Sequence, residues 1–472
     1  MPFMTPAQIL NLRKELEGTR AEVLCLGSDS YAESIKRWSD TCEKEAGAVV
    51  YVTSTSEVSM VVKFARKHRI EFVVIGGGHS TSGASATHGG IVISMTRMRK
   101  VLTDPASKTV CVQGGATWND VNQSTAPYKL AVVGATDGKD GVGGSTLGGG
   151  YGWLTGQYGL IIDNLLSAKI VLANGEVMDA SEDEHNDLFW AIRGAGQAFG
   201  VVTELVFKAH EFRNDVFAGF LYFSVDKLPK IVEFANWFDE QQDENSGFFF
   251  GFRAPSASDL SVIMTILFYN GPKEKAEVFY RPLLSLHPVV NQTRMMTYVE
   301  LNQIANIEPS PEGRKCLSGA NIRFPVDVAL IDELWGQFEK IMEEYPRMGD
   351  SVLFFELIPY SKIIDVPIEA TACANRGRFY NVGFLLCWHD AAEDPVIHSY
   401  QRSIISKIEN SHEDQHAENV DAYSNYAGHD FGAKYLFGPN LPRLQKLKKT
   451  YDQNNLFHKW HNLLAHTEVH PV

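Results

Sequence analysis

Little in this chain would commit it to a membrane, a secretory route or a polyanion. Cysteine is sparse: Cys25, Cys42, Cys111, Cys316, Cys373 and Cys387 are scattered over 472 residues and form no C-x-x-C pair. That excludes a disulfide-stapled scaffold, and the six read as mostly buried thiols in a reducing compartment. No window approaches the ~20 uninterrupted apolar residues that a spanning helix needs. The start, Met1-Pro2-Phe3-Met4-Thr5-Pro6-Ala7, has neither a basic segment nor an apolar core. No secretory signal is read there, and an intracellular, cytoplasmic location is expected. Basic residues are in deficit, 43 Lys and Arg against 57 Asp and Glu, for a net charge of −14. Such a balance argues against nucleic acid or an anionic membrane as a partner. Internal repeats and low-complexity linkers are also missing.

What is present is an ordinary globular composition, 44% apolar and 21% charged, in a chain long enough for two or three domains. Its glycine is concentrated in two places. One is Val73-Val74-Ile75-Gly76-Gly77-Gly78-His79-Ser80; the other runs from Gly141 to Gly152, as Gly-Val-Gly-Gly-Ser-Thr-Leu-Gly-Gly-Gly-Tyr-Gly. A strand that empties into glycines exposes backbone N–H groups with no Cβ in the way, which is what a pyrophosphate needs for close approach. The pair of runs implies a nucleotide cofactor, with His79 beside whatever the phosphates carry.

Periodicity places these runs. Thr5-Pro6 reads as an N-cap and first helical position, opening a helix to about Gly18. Val49–Val52 is a short apolar strand, Ser56–His68 has helical spacing, and Phe72–Ile75 is a buried strand. This unit delivers Gly76–His79 at the carboxyl end of a strand. Strands follow at 91–93, 109–112, 165–172 and 201–207, with Asn174-Gly175 as a turn. After His210 the texture changes to apolar, β-rich runs (217–223, 247–252, 260–268, 352–357, 379–388) interleaved with helical patterns at 228–238, 273–284 and 329–345. Strands followed by helices suggest an antiparallel sheet with helices on one face.

Two apparent motifs carry no weight. Gly194-Ala195-Gly196-Gln197-Ala198-Phe199-Gly200 has the glycine spacing of a dinucleotide fingerprint, but a helical pattern precedes it and a strand follows, the reverse of what that fingerprint requires. His458, His461, His466 and His470 match no common zinc spacing and have no ligand cysteine beside them. No metal site is read.

With the two glycine runs, Tyr158-Gly159-Leu160, Asp163-Asn164, the segment 187–194 and Phe199–Thr203 stand in order before Tyr423-Ser424-Asn425-Tyr426, Asn440–Leu444 and Tyr451–Phe457. In this order the blocks resemble the vanillyl-alcohol oxidase superfamily of PCMH-type FAD-linked oxidases, and within it the berberine-bridge-enzyme-like oxidases. The resemblance implies an α+β protein: a two-subdomain PCMH-type FAD-binding domain at 1–210 (core about 43–210), then a substrate domain at 211–417. That second domain would hold an antiparallel β-sheet backed by helices, and residues 418–472 would return to the FAD domain. It implies FAD bonded at its 8α-methyl to His79. Such a bond withdraws electron density from the ring and prevents loss of the cofactor, and a neutral imidazole is nucleophilic enough to form it. Cofactor contacts carry over to Ile75, Gly76, Gly77, Gly78, His79, Ser80 and Thr81. They carry over also to Asp137, Gly141, Val142, Gly144, Ser145, Gly148, Gly149 and Gly152, and to Val202 and Asn425.

Many relatives make a second bond from a cysteine four residues before the Gly-Val-Gly-Gly run. Here that position is Asp137, and no cysteine lies between Cys111 and Cys316, so a single linkage is expected. Asp137 and Asp140 in this loop have a plain alternative as solvated carboxylates. The flavin performs the redox step, and the protein must aim a C–H bond at it and take a proton. By resemblance the base is the last tyrosine of Tyr-x-Asn-Tyr, Tyr426, with Tyr423 as a neighbour. The glutamate that serves elsewhere in the superfamily aligns with Asn381, an amide. A free tyrosine ionises near ~10, so Tyr426 needs a neighbouring charge or hydrogen bond to lower its pKa; Lys434 is a nearby cation in sequence. The expected activity is an oxidase taking a hydride from a secondary-metabolite alcohol, amine or phenol and passing electrons to O2 to give H2O2. A dehydrogenase, a cyclase without net redox, and a non-catalytic binding protein stay open as alternatives.

Overall fold

Three short apolar runs, too short for buried helices, form the first sheet. Ala48–Tyr51, Ile91–Ser94 and Phe72–Ile75 lie parallel with Ile91–Ser94 in the middle, and Glu22–Leu24 adds an antiparallel edge. The helix Thr55–His68, capped by the Ser54 side chain, crosses between the outer parallel strands. Its Val58, Val61, Val62 and Ala65 share a core with Val171 and Val201 of the next sheet, so it packs between the two. The computed structural model describes residues 3–213, 215–253, 262–304, 313–411, 422–428 and 431–465. The opening helix is Pro6–Glu15, with a reciprocal Thr5–Gln8 capping box; it stops short of the expected Gly18.

The second sheet is antiparallel, in the order Val101–Asp104, Thr109–Gln113, Gly200–Lys208, Leu165–Leu172, Val177–Ser181. The helix Asn186–Ala195 precedes the Gly194–Gly200 run and the strand Gly200–Lys208 follows it, the order read from the sequence.

The third sheet is antiparallel and eight-stranded. Along it lie Val290–Asn291, Asp215–Phe223, Val262–Tyr269, Ser246–Arg253, Val352–Leu357, Tyr380–Trp388 and Arg314–Ile322, with Arg294–Thr297 also paired to Asp215–Phe223. Side-chain alternation gives it two faces. Phe248, Phe250 and Phe252 enter a core with helices Leu228–Gln241 and Val328–Glu344, whereas Phe249 joins the core of the glycine-bearing half. In the strand Val352–Leu357, Leu353, Phe355 and Leu357 face the helices, which turns Val352, Phe354 and Glu356 toward the glycine runs.

Among the elements that escaped the sequence pattern are an edge strand of the third sheet and a helix behind it. The strand Arg314–Ile322 is polar because its charges find tertiary partners: Arg314 pairs with Asp394, and the Lys315 Nζ donates to Trp38 O at 2.9 Å. The helix Asp394–Asn410 packs behind that strand. The expected helix over 273–284 is two pieces, Lys273–Phe279 and Arg281–Leu284, divided before Pro282, which cannot donate to the preceding turn.

Polar ties hold the third sheet over the glycine-bearing half. Arg376 Nη2 lies 2.6 Å from Asp163 Oδ1 with both side chains buried, and Asn270 Nδ2 donates to Gln157 Oε1 at 2.7 Å. The C-terminal helix Leu441–Tyr451 places Leu444 and Leu447 in the same core as Phe189. His461 is buried against Ser424 O, and burial lowers its pKa to about 4, which keeps it neutral. His466 and His470 lie outside the described residues. Among the described residues no helix is long and apolar enough to cross a membrane.

Candidate active site

The strand Phe72–Ile75 empties directly into Gly76-Gly77-Gly78. A Cβ on Gly77 would lie 2.8 Å from Gly141 N, and one on Gly141 would lie 2.6 Å from Gly77 N. The two glycine runs therefore touch backbone to backbone, and any side chain at either position would force them apart. Gly78 has φ +74°, a left-handed conformation open to glycine at little cost; it turns the chain so that His79 follows. The Trp38 N–H donates to Gly78 O at 3.3 Å, anchoring the turn.

Between these runs and the third sheet lies a cavity of about 440 Å³, within the range of small-molecule and cofactor sites. Of the residues singled out from the sequence, Gly76, Gly77, Gly78, His79, Ser80, Asp137, Gly141, Gly144, Ser145, Val202, Tyr423, Asn425 and Tyr426 line it. The structure brings these together from four separate stretches of chain. It places the rest behind the wall. Ile75 packs under Gly78 and Val142 is fully buried. Thr81 exchanges hydrogen bonds with the Leu317 backbone at 3.1 and 3.3 Å, fastening the loop to the third sheet. Gly149 and Gly152 leave no space for a Cβ, facing Cys373 Sγ at 3.0 Å and Gly134 O at 1.9 Å. Gly148 makes room for Asn425, whose Oδ1 would lie 2.0 Å from a Cβ there. Asn425 Nδ2 donates to Ser145 O at 2.9 Å and to the Tyr423 hydroxyl at 2.6 Å, stitching the tyrosine segment to the second glycine run.

At one side of the cavity His79 Nδ1 lies 3.2 Å from Asp140 Oδ1. The Trp38 ring stacks on the imidazole at 5.3 Å and 13°. Asp137 acts on the backbone instead. Its Oδ1 accepts the Lys139 N–H at 2.8 Å, an Asx turn that shapes the loop. Burial, followed by a smaller effect of Asp137, pushes the Asp140 carboxyl up to about 6 against the opposing pull of His79.

Across the cavity is a cluster that the sequence reading did not assemble. Tyr426 donates to Glu356 Oε2 at 3.0 Å, Tyr151 donates to the same oxygen, and the two hydroxyls lie 3.2 Å apart. Tyr423 packs on both rings at 5.0 and 5.1 Å. Burial pushes Glu356 up to about 8, against its two tyrosine hydrogen bonds and with a further upward push from Asp140. Tyr426 is raised well above 10, by burial first and the Glu356 charge second. The lowering that Tyr426 required as a free base is thus not met. Lys434 is exposed, and the groups acting on Tyr426 are Glu356, Tyr151 and Tyr423. The carboxylate missing at 381 stands one strand away, since Glu356 and Asn381 are cross-strand partners. Two signals could have found the cluster: Tyr151 is a large aromatic set among glycines, and Glu356 is a lone acid in Val-Leu-Phe-Phe-Glu-Leu. A charge in an apolar strand is costly unless partnered.

Residues 46–181 match a family described as FAD binding domain, and residues 422–463 one described as berberine and berberine like. The FAD-linked oxidoreductase pgmH of Aspergillus terreus is 36% identical over 472 residues, covering 96% of this chain and 95% of that one. The chain belongs to the berberine-bridge-like FAD-linked oxidoreductases. A similar relative, the FAD-linked oxidoreductase hasG of Aspergillus fumigatus, is 29% identical, covering 92% and 94% of the two chains. Two solved structures share the fold. One is BBE-like 1 of Physcomitrella patens (TM-score 0.85, 21% identity, 97% of this chain and 100% of that one). The other is 6-hydroxy-D-nicotine oxidase of Arthrobacter nicotinovorans (TM-score 0.82, 24% identity, 94% and 98%).

The residues present fit FAD. A Cβ on Gly144 would meet nothing within 4 Å, so at this cavity-lining position the second run offers bare backbone and open space, as a phosphate-bearing cofactor requires. His79, Val202 and the tyrosine segment then bound the volume that a flavin ring would fill.

Proposed function

We propose that this FAD-linked oxidoreductase is an oxidase of apolar, aromatic small molecules bearing an alcohol, amine or phenol. In this reading His79 would hold the flavin by a single bond, and O2 would be the final electron acceptor, giving H2O2. When bound, FAD supplies the two-electron acceptor. The observation that carries the reading is the Tyr151–Glu356–Tyr426 cluster, a buried carboxylate with two hydroxyls inside the cavity that both glycine runs and His79 line.

The chain's own residues handle the proton. Tyr426 lines the cavity and holds Glu356, so it receives the substrate's O–H or N–H proton while passing its own to the carboxylate. The relay avoids a free tyrosinate, which burial and the Glu356 charge both disfavour. Glu356, poised at about 8, is the net base, close to the working pH that favours proton transfer. The roof of the cavity favours an apolar substrate. Phe249, Met264, Ile266, Leu317, Phe354 and Leu385 line it and offer no side-chain hydrogen bonds. Each sugar hydroxyl left unpaired there would cost about 1–3 kcal/mol, whereas a flat aromatic ring would bury apolar surface at no such cost.

Acid-precipitated holoenzyme is expected to keep its yellow colour in the pellet, with the tryptic peptide containing residue 79 heavier by one FAD; an unmodified peptide refutes the tether. A screen of phenols, alcohols and amines monitored by flavin bleaching is expected to find an aromatic substrate. Oxygen uptake with peroxide release, rather than dye reduction alone, then separates oxidase from dehydrogenase. In the same assay Tyr426→Phe should keep its flavin yet slow reduction at least about tenfold. Unchanged kinetics would remove Tyr426 from the relay.

A further inference from the structure

Asp140 sets a carboxylate against the one residue expected to bond the cofactor. Its placement is enforced from several sides. The Asp140 N–H donates to Asp137 O at 3.3 Å, and its carbonyl accepts from Trp118 N–H at 3.0 Å. The Asx turn at Asp137 fixes the intervening Lys139. Next to it, Gly141 is jammed against Gly77, so the carboxylate and the His79 loop cannot drift apart. Trp38 stacks on the imidazole, and the buried Lys315 holds the Trp38 carbonyl at 2.9 Å. His79 and Asp140 are 32% and 33% accessible, and both line the cavity.

We infer that Asp140 drives covalent attachment of the flavin by orienting His79 and accepting the proton that its imidazole must lose. Joining a histidine to the 8α-methyl breaks one methyl C–H bond and one imidazole N–H bond, and forms one C–N bond. Two electrons and two protons are released. The electrons pass through the ring system to molecular oxygen, which with the two protons becomes H2O2, so atoms and charge balance. A neutral imidazole attacks through its unprotonated nitrogen, which leaves the ring cationic until the proton on its other nitrogen departs, and Asp140 at 3.2 Å is placed to take that proton. The two loop acids divide the work: Asp137 shapes the loop and Asp140 faces the histidine.

This inference rests on the His79 tether, and the experiment separates the two. Wild type, Asp140→Asn and Asp140→Glu are purified, and total FAD is compared with acid-stable FAD and with the mass of the residue-79 peptide. The noncovalent fraction is then incubated with added FAD in air and sampled over time. The expected result is full attachment in wild type and at least a tenfold slower attachment in D140N, which still carries dissociable FAD. Glu at 140 restores a carboxylate and is expected to attach faster than D140N. Attachment in D140N at the wild-type rate overturns the inference while leaving the tether intact; an unmodified wild-type peptide overturns the tether itself. Should D140N bind no FAD at all, D140E decides. Covalent flavin in D140E supports the role, and dissociable flavin that never attaches overturns it.

Discussion

Glu356→Gln is expected to slow reduction of the flavin by at least about a hundredfold, the range in which a positioned general base contributes. The substitution keeps the side-chain volume and one acceptor oxygen, so Tyr426 and Tyr151 retain a hydrogen-bond partner and the strand Val352–Leu357 keeps its packing. What is lost is the ability to take a proton. The pH profile carries the sign. Burial raises Glu356 to about 8; below that pH it is protonated and cannot act as a base, above it is ionised and can. Wild-type reduction should therefore rise with pH through about 8, and E356Q should lose that limb. Anaerobic stopped-flow bleaching measures both. A variant that reduces at the wild-type rate with an unchanged profile would show that the cluster is not the base.

Lys448→Ala is expected to cost about 3–5 kcal/mol, the penalty for leaving one partner of a buried ion pair uncompensated. The Lys448 Nζ donates to Asp452 Oδ2 at 2.7 Å, to Ala198 O at 2.6 Å and to Phe457 O at 2.8 Å, and neither charged side chain is accessible. Asp452 also accepts the Leu456 and Phe457 N–H groups at 2.9 Å. The pair thus pins the C-terminal segment to the glycine-bearing half, where Phe457 lines the cavity. Thermal unfolding should show a lower Tm and earlier release of any dissociable FAD. The double variant Lys448→Met with Asp452→Asn should recover most of the loss, because no buried charge is left unpaired. If Lys448→Ala alone unfolds at the wild-type temperature, the pair does not hold this segment.

The three parallel strands of the first sheet were legible because they are unbroken apolar runs bounded by turn residues, a pattern set by burial on both faces; its edge strand Glu22–Leu24 was not. The sheet over the cavity was legible in outline for the same reason. Its edge strand Arg314–Ile322 was not, since Arg314 and Lys315 are tolerated there only through Asp394 and Trp38, which come from elsewhere in the chain. The proton-handling cluster failed to appear for a related reason. Tyr151, Glu356 and Tyr426 belong to three different segments, and no spacing rule relates them. The carboxylate stands at 356 rather than 381, a difference of one strand that cross-strand register makes small in space and large in sequence.

The order of residues by itself determined the glycine runs, His79 after the first of them, the missing cysteine at 137, and the tyrosine motif near the C-terminus. Those are local facts, fixed by residue identity and by what a glycine or an imidazole can do. Only the tertiary structure decided that Asp140 meets His79, that Glu356 turns toward the cavity, and that Tyr426 becomes a weaker acid rather than a stronger one. Burial and hydrogen-bond partners set those properties, and both are created when distant segments close around a shared space.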